Sequence, residues 1–284
     1  MKNKLKPILY QFLIVIFGNL LVLLRPKKAH QLSENGLTLL INNNMSIPER
    51  LMRGAIFKKL EKKHDYDTLA ELHQNYWINK GHSFFSATNN RLENFALPDC
   101  VFIFDLLEKE LIKESNQFKT LVEIGTGNGR VLDYLSSKFP QLDRLVGIDL
   151  SKVQTDNNKD KYKEKPKLEF VASDAFDWIN EHGHGDMIFV TFCGVLEYFT
   201  EKRLRQLFDK LNGLGRIIFV AIEPKAIDHD FTTNPDSKVY GGESSFSHNY
   251  PKLFKNSGFS LWHLSQKKLF NSNAYLFSFI GAKN

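Results

Sequence analysis

The sequence has few cysteines and none of the residue spacings that bind a metal ion. Only Cys100 and Cys193 occur among its 284 residues, which excludes a disulfide framework and fits a reducing compartment. Its nine histidines are scattered, and neither an H-E-x-x-H nor a C-x-x-C pattern is present. We therefore predict neither a stabilising disulfide nor a metal site.

The body of the chain also lacks an excess of charge. The formal net charge is +6, but residues 1–28 contain six basic side chains and no acidic one, which leaves 32 basic against 32 acidic side chains elsewhere. A protein that grips a nucleic-acid backbone needs a surplus of lysine and arginine. The neutral body therefore argues against a nucleic-acid partner.

At its amino terminus the sequence contains one long apolar run, residues 8–24, with basic residues on both sides. As a helix this run would span about 25 Å, slightly less than the roughly 30 Å of a hydrocarbon core, and flanking lysines can reach the headgroups. We predict a single membrane-spanning helix within an anchor segment of residues 1–28, with Pro7 at the first helical position.

Two other placements of this run stay open. Gln11, Gly18 and Asn19 approximate the polar face of a helix that lies in the membrane interface. The run could also dock on its own domain or on a partner, although it is apolar nearly all round. A cleaved signal peptide is disfavoured because no small residues precede Arg25.

Residues 29–115 are predicted to form a mostly helical lead-in region or cap. Their clearest helix covers residues 99–115, with apolar side chains at helical spacing and Asp99 as the N-cap. An aromatic cluster precedes this helix and either belongs to a core or closes over an acceptor; its members are Tyr76, Trp77, Phe84 and Phe85.

From residue 116 onward, short apolar runs alternate with amphipathic segments, which predicts an α/β domain over residues 116–284. Crossover helices between the runs indicate a mostly parallel sheet with helices on both faces. The last two runs have no helix between them, so we expect an antiparallel pair that completes seven strands. The predicted strands are residues 121–124, 145–148, 168–171, 187–192, 217–222, 259–264 and 275–279.

The stretch LVEIGTGNGRVLDYL places Gly125, Gly127 and Gly129 between the first strand and the following helix. A dinucleotide-binding loop reads G-x-G-x-x-G, but here the third glycine comes one position early. Glu123 lies just before the loop, and Thr126 lies within it. This pattern suits a ligand with cationic groups and no phosphate, although a tight turn without any ligand needs the same glycines.

Acidic residues also follow the next two predicted strands. Asp149, with Leu150 beside it, ends the second strand, where a carboxylate can accept hydrogen bonds from both hydroxyls of a ribose. Asp174 follows the third strand, where it can accept from the exocyclic amine of adenine while Ala175 and Phe176 line the ring. Together these positions indicate a nucleoside ligand.

These residues resemble the motifs of the class I S-adenosylmethionine-dependent methyltransferases. VEIGTGNG is similar to the first motif, GIDLS to the second, SDAFDW to the third and MIFVTFCGVLEYF to the fourth, and the resemblance covers roughly residues 119–284. It implies S-adenosylmethionine as the cofactor. The residues implied to hold it are Glu123, Gly125, Thr126, Gly127, Gly129, Asp149, Leu150, Asp174, Ala175 and Phe192.

Methyl transfer from a sulfonium requires mainly that the acceptor be aligned with the methyl group, and an oxygen or nitrogen acceptor also benefits from a base. We predict His248 as the first candidate base, although a capping or surface histidine is an equal alternative. Glu223, at the end of the fifth strand, and His229 are lesser candidates. Cys193 is expected to be a small lining residue near the methyl donor.

The sequence after the fourth strand, TFCGV, has neither the Asn/Asp-Pro-Pro-aromatic nor the Pro-Cys signature of the family's nucleic-acid enzymes. With the predicted anchor, this favours a small-molecule or lipid-like acceptor at a membrane. The catalytic domain would be cytoplasmic because the donor is made there. The alternative is a catalytically inactive binding or scaffold module tethered to the membrane, and aminopropyl transfer is a weaker third hypothesis. No pattern indicates an oligomeric state.

Overall fold

The computed structural model describes residues 13–38, 45–87, 97–115, 117–269 and 273–284. The chain divides into two compact units, one of Met1–Lys80 with Gly242–Ser245 and the other of Gly81–Gly241 with Phe246–Asn284.

The described residues of the amino-terminal unit are largely helical, as the sequence predicts for the lead-in region. The third helix begins at a capping box, in which the Ser46 amide donates to Oε2 of Glu49 at 2.8 Å. It ends where His64 adopts a left-handed conformation with φ 54°. The helices are α1 (Asn19–Leu24), α2 (Pro26–Glu34), α3 (Ile47–Lys63) and α4 (Tyr66–Ala87), whose last residues belong to the second unit.

The apolar run at the amino terminus docks one of its faces on α3. A short π-helical turn, Ile14–Gly18, continues into α1, and Ile14 is buried with Leu51 and Ala55 of α3. A Cβ atom on Gly18 would collide with the Leu51 carbonyl oxygen, so glycine permits this close approach. Six other apolar side chains of the run are exposed: Val15, Ile16, Phe17, Leu20, Leu23 and Leu24.

The predicted membrane span lies only partly within the described residues, because residues 8–12 and Pro7 fall outside them. In the part of the chain that the structure describes, no helix is both long enough and apolar enough to cross a membrane. Of the placements that the sequence leaves open, docking on the chain's own domain is the one whose contacts are observed.

A seven-stranded sheet organises the second unit and confirms the predicted fold class. Its strands are β1 (Thr120–Ile124), β2 (Arg144–Asp149), β3 (Leu168–Ala172), β4 (Met187–Phe192), β5 (Ile217–Ala226), β8 (Ser260–Lys267) and β9 (Tyr275–Lys283). They lie in the order β3-β2-β1-β4-β5-β9-β8. The first five strands in this order are parallel, and β9 pairs antiparallel with both β5 and β8, which confirms the predicted carboxyl-terminal pair. A separate two-stranded ribbon consists of β6 (Lys238–Tyr240) and β7 (Ser245–Ser247).

Helices cover both faces of the sheet because successive strand residues alternate between two apolar cores. On β1, for example, Leu121 packs with α5 (Leu97–Lys113) and α6 (Arg130–Lys138). Its neighbour Val122 points to the opposite face and packs with three other helices: α8 (Ala175–His182), α9 (Glu201–Asn212) and α10 (Tyr250–Asn256). The remaining helix is α7 (Lys152–Lys161).

One local expectation is wrong. Helix α5 begins at Leu97, so Asp99 lies in its first turn and is not the N-cap. In the charged segment that follows Asp149, three side chains are buried: Thr155, Asn158 and Tyr162. Neither Cys100 nor Cys193 forms a disulfide bond.

Candidate functional site: the glycine loop and the strand ends around it

The glycine loop between β1 and α6 needs glycine at all three positions. Gly125, Gly127 and Gly129 have φ values of 72°, 51° and 73°, in the left-handed region that side chains with a Cβ rarely occupy. The amides of Gly125 and Thr126 both donate to the carbonyl of Ile148, at 2.8 and 3.0 Å. The loop is therefore fastened to the end of β2.

Asp149, the last residue of β2, is joined to this loop by a direct hydrogen bond. Its Oδ2 accepts from the Gly127 amide and its Oδ1 from the Ser151 amide, both at 2.9 Å. Burial raises the pKa of this carboxyl, and hydrogen bonds from the amides of Ser151, Gly127 and Leu150 oppose that effect. A carboxylate has about four lone-pair sites, so Asp149 keeps acceptor capacity beyond these amides. Leu150 follows it and is half-buried.

Glu123 is the second acidic residue at the loop. Only 2% of it is exposed, and its Oε2 accepts a 2.7 Å hydrogen bond from the Thr126 hydroxyl. Burial, together with the nearby charge of Asp149, raises the pKa of Glu123 to about 8. This acid is therefore neutral at pH 7 until a cation comes close to it.

Asp174 caps α8, as its position after β3 allows. Its Oδ1 accepts from the Phe176 amide at 2.8 Å and from the Arg203 guanidinium at 3.1 Å. That guanidinium also lies over the Phe176 ring, 4.0 Å from its centroid. One oxygen of Asp174 is thus already engaged, while Ala175 beside it is buried. The predicted contact with adenine remains a prediction for the other oxygen, Oδ2.

The end of β4 makes a tight turn toward the glycine loop. Phe192 is followed by two residues in left-handed conformations, Cys193 with φ 58° and Gly194 with φ 99°. A non-glycine residue in this region is uncommon and is often found at functional sites. The next residue, Val195, packs on the loop: a Cβ on Gly125 would lie 2.7 Å from its Cγ2.

Helix α7 and the residue after it, Tyr162, support the glycine loop through side chains whose role the sequence motifs do not predict. The side-chain amide of Asn158 donates to the Gly127 carbonyl at 2.7 Å, and the Tyr162 hydroxyl donates to the Asn128 carbonyl at 3.3 Å. The Tyr162 ring also stands where a Cβ of Gly129 would be. The sequence signal that could have revealed them is their spacing, since Thr155, Asn158 and Tyr162 form one helical stripe.

Comparison with known proteins identifies the domain that carries this site. A family model described as methyltransferase domain matches residues 121–214. These residues form a class I S-adenosylmethionine-dependent methyltransferase domain. The domain belongs to a class of enzymes whose cofactor is S-adenosylmethionine. No sequence among curated proteins matches the chain.

A solved structure with a TM-score above 0.5 shares the fold of this chain. Magnesium protoporphyrin IX methyltransferase from Synechocystis PCC 6803, with bound SAH, has a TM-score of 0.52 at 14% identity, over 76% of this chain and 99% of that chain. The N-methyltransferase NodS from Bradyrhizobium japonicum WM9, in complex with SAH, has a TM-score of 0.46 at 17% identity, over 67% of this chain and 90% of that chain. At such identities the likeness concerns the fold.

The donor set of the methyltransferase domain fits the chemistry of S-adenosylmethionine. The bare backbone of the loop allows close approach, Asp149 retains acceptor capacity for ribose hydroxyls, and Glu123 offers a carboxyl group to a cationic end. Within the described residues no group of histidine, cysteine, aspartate and glutamate side chains is arranged to hold a metal ion.

The candidate bases are all buried. His248 is 0% exposed, its Nδ1 lies 2.6 Å from the Ser237 hydroxyl, and burial lowers its pKa to about 4. Asn249 caps α10 instead, so His248 is neither a cap nor a surface residue. His229 is 1% exposed and holds the Ser247 hydroxyl at 2.8 Å. Glu223 is 0% exposed, and burial raises its pKa to about 8.

The predicted aromatic cluster is divided between the two units. Phe84 and Phe85 belong to the second unit, and a Cβ on Gly127 would collide with the Phe85 ring. Phe85 thus covers the glycine loop. Tyr76 and Trp77 belong to the amino-terminal unit, where Tyr76 is buried and the two rings meet edge to face.

Proposed function

We propose that this protein transfers a methyl group from S-adenosylmethionine to an oxygen or nitrogen of a small-molecule or lipid-like acceptor at a membrane surface. The observation that carries the cofactor assignment is the hydrogen bond from the Gly127 amide to Asp149, at the carboxyl ends of β1 and β2. The neutral body of the chain favours a small acceptor over a nucleic acid. The protoporphyrin enzyme of Synechocystis, whose name gives a small-molecule acceptor, agrees with this class.

In the proposed mechanism the protein mainly aligns the reactants. When bound, S-adenosylmethionine supplies an electrophilic methyl group. Asp149 would hold its ribose and Glu123 its cationic end, so that the methyl carbon could pass to an acceptor lone pair while the carbon–sulfur bonding pair stays with sulfur. Such alignment can contribute about 7 to 11 kcal/mol. The acceptor proton then passes to a base or to water.

His248 was the first candidate base from the sequence, and its surroundings favour another role. A general base must come within hydrogen-bond reach of the acceptor and have a pKa near the working pH. His248 is fully buried and has a pKa of about 4. We propose that His248 stabilises the loop before α10 through Ser237 and that the acceptor proton does not depend on it.

Membrane association is proposed through the exposed apolar face of the amino-terminal run. Leu23 and Leu24 are 76% and 67% exposed, and Arg25, Lys27 and Lys28 follow them directly. Apolar side chains beside lysine and arginine suit the interface of a membrane with anionic lipids. We therefore propose a helix that lies in the interface and brings the catalytic domain to its acceptor on the cytoplasmic side.

Sedimentation of the full-length protein with lipid vesicles tests this part of the proposal. We expect binding to vesicles that contain phosphatidylserine and much weaker binding to phosphatidylcholine alone. Replacing both Leu23 and Leu24 by aspartate should abolish it. Ile112→Asp is a matched control, since Ile112 is 64% exposed in the other unit. Wild-type protein that stays in the supernatant, or equal losses in variant and control, contradicts the interfacial helix.

The acceptor itself is best found with a labelled methyl group. Full-length protein, a total membrane extract and S-adenosylmethionine labelled in its methyl group should yield a labelled small molecule or lipid. Binding of the cofactor without transfer to any component of the extract would instead favour the inactive binding module.

A further inference from the structure

A buried carboxyl group on β5 holds the turn that follows β4. Oε2 of Glu223 accepts hydrogen bonds from the amides of Val195 and Leu196, at 3.0 and 3.1 Å. These amides open the 3-10 turn Leu196–Tyr198, and their bonds to one carboxyl oxygen resemble the capping of a helix start. The turn therefore depends on a side chain from a neighbouring strand.

The same turn is fixed from its other side by Glu197. A Cβ atom on Gly194 would lie 2.5 Å from Oε1 of Glu197, so the carboxyl group packs directly on the backbone of the turn. Its other oxygen accepts a 2.8 Å hydrogen bond from the Tyr240 hydroxyl. With Cys193 and Gly194 both at positive φ, the backbone here is held in one uncommon conformation by two carboxyl groups.

Val195 connects this turn to the cofactor loop. Its amide is bound by Glu223, and its side chain lies against Gly125, where a Cβ would come within 2.7 Å of Cγ2. Movement of the turn by even a few tenths of an ångström therefore moves the surface that faces the loop. The bond to the Val195 amide therefore links Glu223 to the glycine loop through Val195.

The buried carboxyl group of Glu223 lies near two hydroxyl groups. A hydrogen bond from Thr191 lowers the pKa of Glu223, against the larger effect of burial, and the charge of Glu223 acts on the buried Tyr250 hydroxyl. Buried polar groups are normally paired. A hydroxyl can donate to Oε1 or accept a hydrogen bond from the neutral acid, while Oε2 keeps both backbone amides.

We propose that Glu223 is a positioning residue for cofactor binding: its carboxyl group holds the turn after β4 so that Val195 packs on Gly125 and completes the wall of the glycine loop. This rests on the assignment of that loop to S-adenosylmethionine. It replaces the role of a base for Glu223, since a group that is 0% exposed reaches no acceptor. Loss of Glu223 should therefore weaken cofactor binding more than it slows the bound complex.

The proposal is tested by titration calorimetry of the full chain with S-adenosylmethionine. Glu223→Gln retains a carbonyl oxygen for both amides, so its Kd should stay within about threefold of the wild type. Glu223→Ala removes two hydrogen bonds to buried amides and should raise the Kd about tenfold or more. Tyr250→Phe is the matched control, because it removes a hydroxyl from the same cluster without touching the turn.

A double-mutant cycle separates positioning from general destabilisation. If Glu223 acts through Val195, then Val195→Ala should also weaken binding, and adding Glu223→Ala to it should cost much less than Glu223→Ala costs alone. Additive effects of the two substitutions, or a folded Glu223→Ala with wild-type Kd, would overturn the proposal. Asp149→Ala distinguishes a failure of the positioning role from a failure of the cofactor assignment. Unchanged binding in Asp149→Ala would show that the glycine loop is not the cofactor site.

A pH series supplies a readout that a purely structural role would not move. Burial raises the pKa of Glu223 to about 8, and the charge of Glu197 adds to this; the other titratable groups around it are Tyr240, Tyr250 and His248. The ratio of Kd between wild type and Glu223→Gln cancels the titration of the ligand's own α-amino group. Above about pH 8 the ionised Glu223 repels the Glu197 carboxyl that packs on Gly194 of the same turn. We therefore expect this ratio to rise as the pH passes through 8, and a flat ratio contradicts positioning by the neutral carboxyl.

Discussion

The amide of Gly127 donates a 2.9 Å hydrogen bond to Oδ2 of Asp149. This bond joins the glycine loop to the carboxyl end of the neighbouring strand, so the two sequence motifs that indicate a nucleoside form one rigid structure. The Ser151 amide donates to the other oxygen of Asp149, and the two hydrogen bonds together orient the carboxylate. The carboxylate keeps acceptor capacity for a ribose hydroxyl.

Gly127→Ala should both destabilise the domain and abolish cofactor binding. The backbone at this position is left-handed, with φ 51°, which is unfavourable for alanine. The new methyl group would also collide with the Phe85 ring. The conformation alone costs about 1 to 2 kcal/mol. Gly241→Ala is the matched control, since Gly241 has φ 69° and open space around it. Thermal unfolding should show a loss of stability in both variants, larger for Gly127→Ala because of the collision with Phe85, and cofactor titration should show lost binding only for Gly127→Ala. Lost binding in both would refute the local explanation.

Asn158→Ala should weaken cofactor binding although Asn158 lies on α7 and not in the loop. Its side-chain amide donates to the Gly127 carbonyl at 2.7 Å, and loss of a buried hydrogen bond of this kind costs on the order of 1 kcal/mol. Asn157→Ala tests the specificity, because Asn157 is the exposed neighbour on the same helix. We expect a several-fold higher Kd for the first variant and no change for the second. Identical Kd values would show that α7 does not support the loop.

Binding of S-adenosylmethionine should release protons near pH 7. Glu123 has a pKa of about 8 because it is buried beside Asp149, so it is protonated before binding. A cationic ligand end beside it favours the carboxylate and expels the proton. Calorimetry in buffers of different ionisation enthalpy measures this release, which should disappear above pH 9 and in Glu123→Gln. Equal proton release by wild type and Glu123→Gln would place the cationic end elsewhere.

His248→Gln should lower stability and leave the chemical step within about tenfold of wild type, whereas removal of a general base costs about 10²- to 10⁴-fold. Burial lowers the pKa of His248 to about 4, below the value of about 6.5 in an unfolded chain. This histidine therefore stabilises the fold above pH 6.5, and its contribution is lost as the pH falls toward 4. Urea unfolding at pH 7.5 and 5 should show the wild type losing its advantage over the variant. A kcat reduced a thousandfold at unchanged stability would restore His248 as the base.

The sequence predicted the α/β sheet well because its buried strands are short apolar runs with helices between them. All seven expected strands exist, and the pair β8 and β9 is antiparallel as the missing crossover helix requires. The glycine loop and Asp149 were also found from local pattern, since left-handed glycines and a strand-end acid leave a direct trace in the sequence.

Contacts that depend on distant packing left no such trace. The charged neighbours of Asn158 are typical of a solvated surface, yet the stripe that faces the loop is buried. The link from Glu223 through Val195 to Gly125 joins three separate segments, and no local spacing reveals it. His248 was chosen as a base from its chain position, and only the fold places it in the interior.

Titration of the full-length protein with S-adenosylmethionine tests the central claim most directly. We predict saturable binding of one molecule per chain to the wild type, loss of that binding in Asp149→Ala, and wild-type binding in the control Asp143→Ala, which changes an exposed aspartate at the other end of the same strand. Binding that survives Asp149→Ala unchanged would contradict the assignment of the glycine loop as the cofactor site.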